Sequence, residues 1–145
     1  MKAFFDTSVL LPVFLEDHEH HEASLKVFLK AKKTTGCFGA HSLAELYATA
    51  TRLPGKHRLS GEQVVLFLED LTSRLSAISL NASEYFHAVQ AAVRNNVAGG
   101  AIYDALLAQC ALKGGADVIY TWNVRHFQLL GPDVKNRLRT PLSPQ

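Results

Sequence analysis

The chain has only two cysteines, Cys37 and Cys110, both set among apolar residues. That is too few for a disulfide-stapled secreted module, and they read as reduced core thiols. No apolar run approaches the roughly 20 residues that a bilayer-spanning helix needs. The run at residues 9–15 contains Pro12 and follows Asp6 closely, and no small-x-small cleavage site comes after it, so Lys2 and this run make a poor signal peptide. A cytoplasmic protein without membrane contact is expected. Neither sign of charge dominates: 15 Lys and Arg against 13 Asp and Glu leave +2, too balanced to announce a nucleic-acid partner by itself. Internal repeats, low-complexity tracts and Cys–His spacings suited to zinc are all missing.

What is present is a core. The 145 residues are 48% hydrophobic and only 19% charged, which excludes general disorder. A chain of this size forms one ordinary domain and can bury roughly 68–70% of the surface of its unfolded form. Short, unalternating apolar runs at residues 2–5, 36–40, 77–80 and 118–121 read as strands. Between them lie helical patterns at 9–15 (Pro12 in the first turn, Thr7 and Ser8 as caps), 21–33, 42–53, 60–74, 81–95 and 101–113, with a short segment at 127–130. Asn81 and Glu84 form a capping box. Breakers stand at Pro54-Gly55, Gly99-Gly100 and Gly114-Gly115. Unalternating strands separated by helices imply an α/β class, with a parallel sheet covered on both faces. The basic residues Lys135, Arg137 and Arg139 read either as a phosphate-facing tail or as a frayed terminus.

In such folds, ligands sit beyond the carboxyl ends of the strands. Asp6 directly follows the first strand, Glu45 lies early in the helix after the second, and Asn123 follows the fourth. Asp104 is the only charged side chain ahead of Lys113 in a helix that is apolar nearly all round, so it is expected to be buried and in need of compensation. The helix dipole offers about 0.3–1 kcal/mol, too little for a deeply buried charge. Each acid has a structural alternative. Asp6 could cap the first helix, Ser42 and Glu45 have capping-box spacing, Asp104 could be a first-turn acid and Asn123 a turn residue. Together, however, three carboxylates at one sheet edge need a cation, because two such charges about 4 Å apart repel by about 4 kcal/mol at an effective dielectric near 20. Oxygen-only donors select Mg²⁺ or Mn²⁺, and such sites usually meet a substrate phosphate.

Four blocks of sequence carry a resemblance: Phe5-Asp6-Thr7-Ser8; Ser42-Leu43-Ala44-Glu45-Leu46-Tyr47 running to Leu53-Pro54; Ala101-Ile102-Tyr103-Asp104-Ala105-Leu106-Leu107-Ala108; and Tyr120-Thr121-Trp122-Asn123-Val124-Arg125-His126-Phe127. In this order the chain resembles the PIN-domain ribonucleases, and among them the VapC-type toxins of bacterial toxin–antitoxin pairs. The resemblance implies one three-layer α/β/α PIN-like domain over residues 1–145, with a short central parallel sheet. It implies a Mg²⁺- or Mn²⁺-dependent endoribonuclease that hydrolyses RNA phosphodiesters, with Asp6, Glu45 and Asp104 as metal-holding acids. The fourth family position, often Asp, is Asn123 here, which offers a carbonyl oxygen but no charge. Ser8 and Thr121 match supporting hydroxyl positions, and His126 stands where relatives carry an acid or a His. A homodimer is implied, as is a cognate antitoxin lying over an apolar groove near residues 9–15, 25–29 and 64–71. The missing fourth acid leaves an alternative: a catalytically inactive PIN-like module that binds RNA or protein.

Other signals are weaker. Arg52, Lys56, His57 and Arg58, together with Arg125, are candidates for RNA phosphates. Trp122 could stack on a base or be buried. The run Glu16-Asp17-His18-Glu19-His20-His21-Glu22 reads as a solvated loop and helix start, and His41 as structural. A haloacid-dehalogenase-type phosphatase is disfavoured because Asp6-Thr7-Ser8 lacks the second acid, and a receiver domain because it needs an acidic pair and a late Lys.

Overall fold

A computed structural model describes residues 1–143. Its centre is a five-stranded sheet in the order β3-β2-β1-β4-β5, with every neighbouring pair parallel. The strands are β1 (Ala3–Phe5), β2 (Gly36–Gly39), β3 (Ser76–Ile78), β4 (Val118–Tyr120) and β5 (Leu138–Arg139). Helices α1 (Thr7–Val13) and α2 (His21–Leu29) connect β1 to β2, and α3 (His41–Ala50) and α4 (Gly61–Arg74) connect β2 to β3. Helices α5 (Ala82–Arg94) and α6 (Ile102–Lys113) return the chain to β4, and α7 (Val124–Phe127) and α8 (Pro132–Lys135) lead to β5.

Period-two alternation along the strands explains the three layers. Phe5, Phe38 and Tyr120 face a cluster built with Val9, Leu10, Phe28, Leu46 and Leu71 from α1 to α4. Their neighbours Phe4, Cys37 and Ile119 face Leu107, Ala108, Ala111, Phe127 and Val134 on the other side. Both strand faces are therefore apolar, and the runs do not alternate. Burying one such side chain contributes about 1.5–3 kcal/mol. Gly39 lets α6 approach β2: a Cβ there would lie 2.5 Å from Leu107 Cδ2.

The chain builds outward from β1 through β2 to β3, then crosses back to place β4 on the other side of β1. The order thus reverses beside β1, and the crevice at the carboxyl ends of β1 and β4 is the switch point where ligands bind in open parallel sheets.

Several expectations need correction. Helix α1 starts at Thr7, immediately after Asp6, whose carbonyl accepts from the amides of both Val9 and Leu10. Pro12 therefore lies in the last turn and not in the first, and it cannot donate the i→i−4 bond that its position would otherwise make to the Ser8 carbonyl. Asp6 is the residue ahead of the helix, but its side chain makes no cap bond. The Ser42–Glu45 capping box does not form either: α3 begins at His41, after Ala40, with no side-chain cap. The Asn81–Glu84 box is present. The basic segment near the C-terminus is not frayed: Arg139 lies in β5, paired with Tyr120. Cys37 and Cys110 are buried free thiols, as expected. Among the described residues, no helix is long and apolar enough to cross a membrane.

Candidate active site

The switch point gathers Asp6 from the end of β1, Glu45 from α3 and Asp104 from α6. Asp6 is only 2% exposed. Its Oδ2 accepts from Ser8 Oγ at 2.7 Å and from Thr121 Oγ1 at 2.8 Å. Each hydroxyl has one proton, so both are spent on Asp6. Their oxygens accept in turn from the backbone: Trp122 N–H to Ser8 at 2.9 Å and Asn123 N–H to Thr121 at 2.9 Å. The turn after β4 thus orients two hydroxyls onto one carboxylate oxygen, an arrangement that favours the ionised acid. Burial pushes the Asp6 pKa up, and the Ser8 and Thr121 hydroxyls pull against it.

Glu45 has its own pair of hydroxyls. Thr7 Oγ1 donates to Glu45 Oε1 at 3.0 Å and lies 2.7 Å from Ser42 Oγ. Because the Thr7 proton goes to Glu45, the buried Ser42 must donate to Thr7. This relay fixes the Glu45 carboxylate from one side and leaves Oε2 for another ligand. From sequence, Thr7 and Ser42 have no site role: Thr7 reads as a helix cap and Ser42 as half of a capping box, although both lie in the blocks that carry the resemblance. Burial raises the Glu45 pKa; the Thr7 hydrogen bond and nearby His41 lower it, and Asp6 raises it further.

Asp104 is half-buried, not deeply buried. Helix α6 is buried over Ala105, Leu106, Leu107 and Ala108, but its first turn opens to solvent, with Tyr103 50% exposed. Its carboxyl is nevertheless pushed up to about 6, by burial first and then by the charges of Asp6 and Glu45, with His126 opposing. The three acids sense one another. Among the described residues, neither ion pair involves them: these are Lys113–Glu84 and His20–Glu19. The charge therefore has no fixed Lys or Arg partner.

This donor set suits a hard divalent cation. Among the described residues, no three His, Cys, Asp or Glu side chains stand close enough to form a ready-made cage. Mg²⁺ needs none, because it typically keeps several waters and takes one or two carboxylates together with substrate phosphate oxygens. Asn123, exposed at the start of α7, is at the same edge, and its side chain does not cap that helix.

Other expected residues fall elsewhere. Arg52, Lys56, His57 and Arg58 follow the far end of α3, away from Glu45. Lys56 and His57 line a cavity of about 470 Å³ opposite Glu16, Asp17 and His18. Arg125 lies in α7 next to His126, the residue whose charge acts on Asp104. The Trp122 ring is already covered, stacked on His20 at 3.8 Å, with Nε1 donating to buried Ser24 Oγ at 2.9 Å. The histidine-rich run is tied down locally: His18 Nδ1 accepts from the His20 amide, and His21 Nδ1 donates to the Pro12 carbonyl.

The fold and site together define a parallel-sheet α/β/α protein with an oxygen-rich acidic crevice at the strand ends. The PIN domain model matches residues 3–129, and the chain belongs to the PIN domain family. It is 35% identical over 114 residues to the ribonuclease VapC40 of Mycobacterium tuberculosis, covering 79% of this chain and 81% of the relative. It is 31% identical to the ribonuclease VapC27 of the same species, over 78% of this chain and 79% of that one. The fold matches the M. tuberculosis sarcin–ricin-loop-cleaving toxin VapC20 with a TM-score of 0.70 at 17% identity, over 86% of this chain and 92% of that one. It also matches VapBC2 from Rickettsia felis, bound to a DNA fragment from their promoter, with a TM-score of 0.64 at 20% identity, over 97% and 98% of the two chains.

Proposed function

We propose that this chain is an endoribonuclease dependent on Mg²⁺ or Mn²⁺, and the toxin component of a type II toxin–antitoxin pair. The observation that carries the reading is three interacting carboxylates, in no ion pair with Lys or Arg among the described residues, at the switch point of a PIN-family sheet. The likeness to VapC40 and VapC27, both ribonucleases, supports RNA as substrate.

Asp6 and Asp104 would hold the ion most directly, and Glu45 would share it or position the attacking water. A divalent ion there supplies Lewis-acid stabilisation of the phosphoryl oxygens and a more acidic water. The chain's own part is preorganisation. Ser8 and Thr121 favour the ionised form of Asp6 against the effect of burial and hold it in place, and the Ser42–Thr7 relay turns Glu45 so that Oε2 can accept a proton from water. Asn123 adds a neutral oxygen at the rim. None of the residues gathered here needs to act as a covalent nucleophile.

Two surfaces support protein partners. The outer face of α5 exposes Tyr85, Phe86, Val89 and Val93, which suits a homodimer. The cavity beside Phe14, Leu15, Leu53 and Leu59 suits an antitoxin segment. It is narrower than the groove expected from sequence, because Val9, Leu10, Val27, Phe28, Val64 and Leu71 are core residues. The VapBC2 structure bound to promoter DNA supports an antitoxin partner.

The test is cleavage of RNA by the purified protein. Turnover should require Mg²⁺ or Mn²⁺, stop in excess chelator and be lost in Asp104→Asn. Unchanged cleavage in chelator, or in that variant, contradicts the metal mechanism. Retained RNA or partner affinity without any turnover would identify the inactive binding module.

A further inference from the structure

The mechanism leaves one exposed aromatic feature unused. The rings of His41 and Tyr103 stack with centroids 5.4 Å apart and planes only 6° from parallel. His41 lies one turn ahead of Glu45 on the same face of α3 and lowers the Glu45 pKa through its charge. Tyr103 immediately precedes Asp104. The pair therefore bridges the two helices that deliver Glu45 and Asp104. His41 backs one face of the Tyr103 ring, and Tyr103 remains 50% exposed. Trp122, at the other side of the crevice, has its ring occupied by His20.

We infer that Tyr103, backed by His41, is a nucleobase-stacking subsite for single-stranded RNA beside the acidic crevice. The choice of ligand rests on the ribonuclease reading; the platform itself rests on the stacked pair. Every base has a π-face, so an aromatic ring held flat accepts any base next to a bound phosphate. The ring is already immobilised by His41, so little side-chain freedom is lost when a base is added. Arg125, exposed on α7 beside His126, can meet the flanking phosphate.

The test uses the full chain carrying Asp104→Asn in Mg²⁺, titrated into short single-stranded RNA with 2-aminopurine bases. Binding should quench the 2-aminopurine fluorescence. Tyr103→Phe should keep both quenching and affinity, whereas Tyr103→Ala should bind about tenfold more weakly and lose the quenching. Equal quenching and affinity in the Ala variant overturn the inference. So does a change of oligomeric state in that variant, seen by light scattering, which would make Tyr103 an interface residue. Cleavage by the otherwise wild-type chain in Mn²⁺ is measured in parallel. Tyr103-dependent quenching without cleavage would keep the subsite and reject the nuclease; cleavage with Tyr103-independent binding would do the reverse.

Discussion

Replacing Asp104 by Asn should stabilise the metal-free protein at neutral pH while destroying its activity. The Asp104 pKa rises from 3.8 to about 6 on folding, because burial and then Asp6 and Glu45 oppose its charge. The folded state therefore binds the proton more tightly than the unfolded one, and stability falls as pH rises from about 3.8 to about 6, staying low above that. At about 1.36 kcal/mol per pKa unit, the ceiling is about 3 kcal/mol. Asp104 is half-exposed, so water screens much of this, leaving about 1 kcal/mol. That corresponds to a melting temperature about 3 °C higher for the variant at pH 7. The assay is thermal unfolding in chelator from about pH 4 to pH 7.5. The variant's advantage should be small at the acid end and grow through the window. Mn²⁺ at pH 7 should raise the wild type more than the variant. A variant that is less stable at pH 7, or whose advantage does not change with pH, refutes the reasoning.

Other expectations follow from the same geometry. Thr7→Val removes the proton held on Glu45 Oε1 and should cut turnover at least tenfold, at a stability cost of about 1 kcal/mol, whereas Thr7→Ser should restore most of the rate in the same cleavage assay. Thr121→Val deprives buried Asp6 of one of two hydroxyls and leaves the Asn123 amide without its acceptor, so denaturant titration should show a loss of about 1–3 kcal/mol. Asn123→Asp adds a fourth charge to the crevice: Mn²⁺ should bind more tightly by calorimetry, and the metal-free melting temperature should fall. Gly39→Ala sets a methyl against Leu107 between β2 and α6 and should cost about 1–3 kcal/mol by chemical denaturation.

Most of the layered fold was legible because β1, β2 and β4 are buried almost throughout and so appear as continuous apolar runs, whereas β3, with Ala77 exposed, offers only a short one. Strand β5 was not, since Leu138–Arg139 is two residues long and charged, and only pairing with β4 reveals it. The acids were legible as a group because strand order sends Asp6, Glu45 and Asn123 to one edge, and Asp104 stands alone in an apolar helix. How they are held was not legible. Ser42 and Glu45 have the spacing of a capping box, and that spacing hid a relay through Thr7, contributed by a different helix. The depth of Asp104 was overestimated because composition describes the whole of α6, whereas its first turn reaches the surface. The loop carrying Arg52, Lys56 and Arg58 was placed by charge alone, and the direction of α3 carries it away from the acids.

Anomalous diffraction from crystals grown with Mn²⁺ tests the central claim most directly. A peak bounded by Asp6, Glu45 and Asp104 oxygens is the predicted result. A well-ordered crystal with no peak there, or with the ion held by other residues, would contradict it.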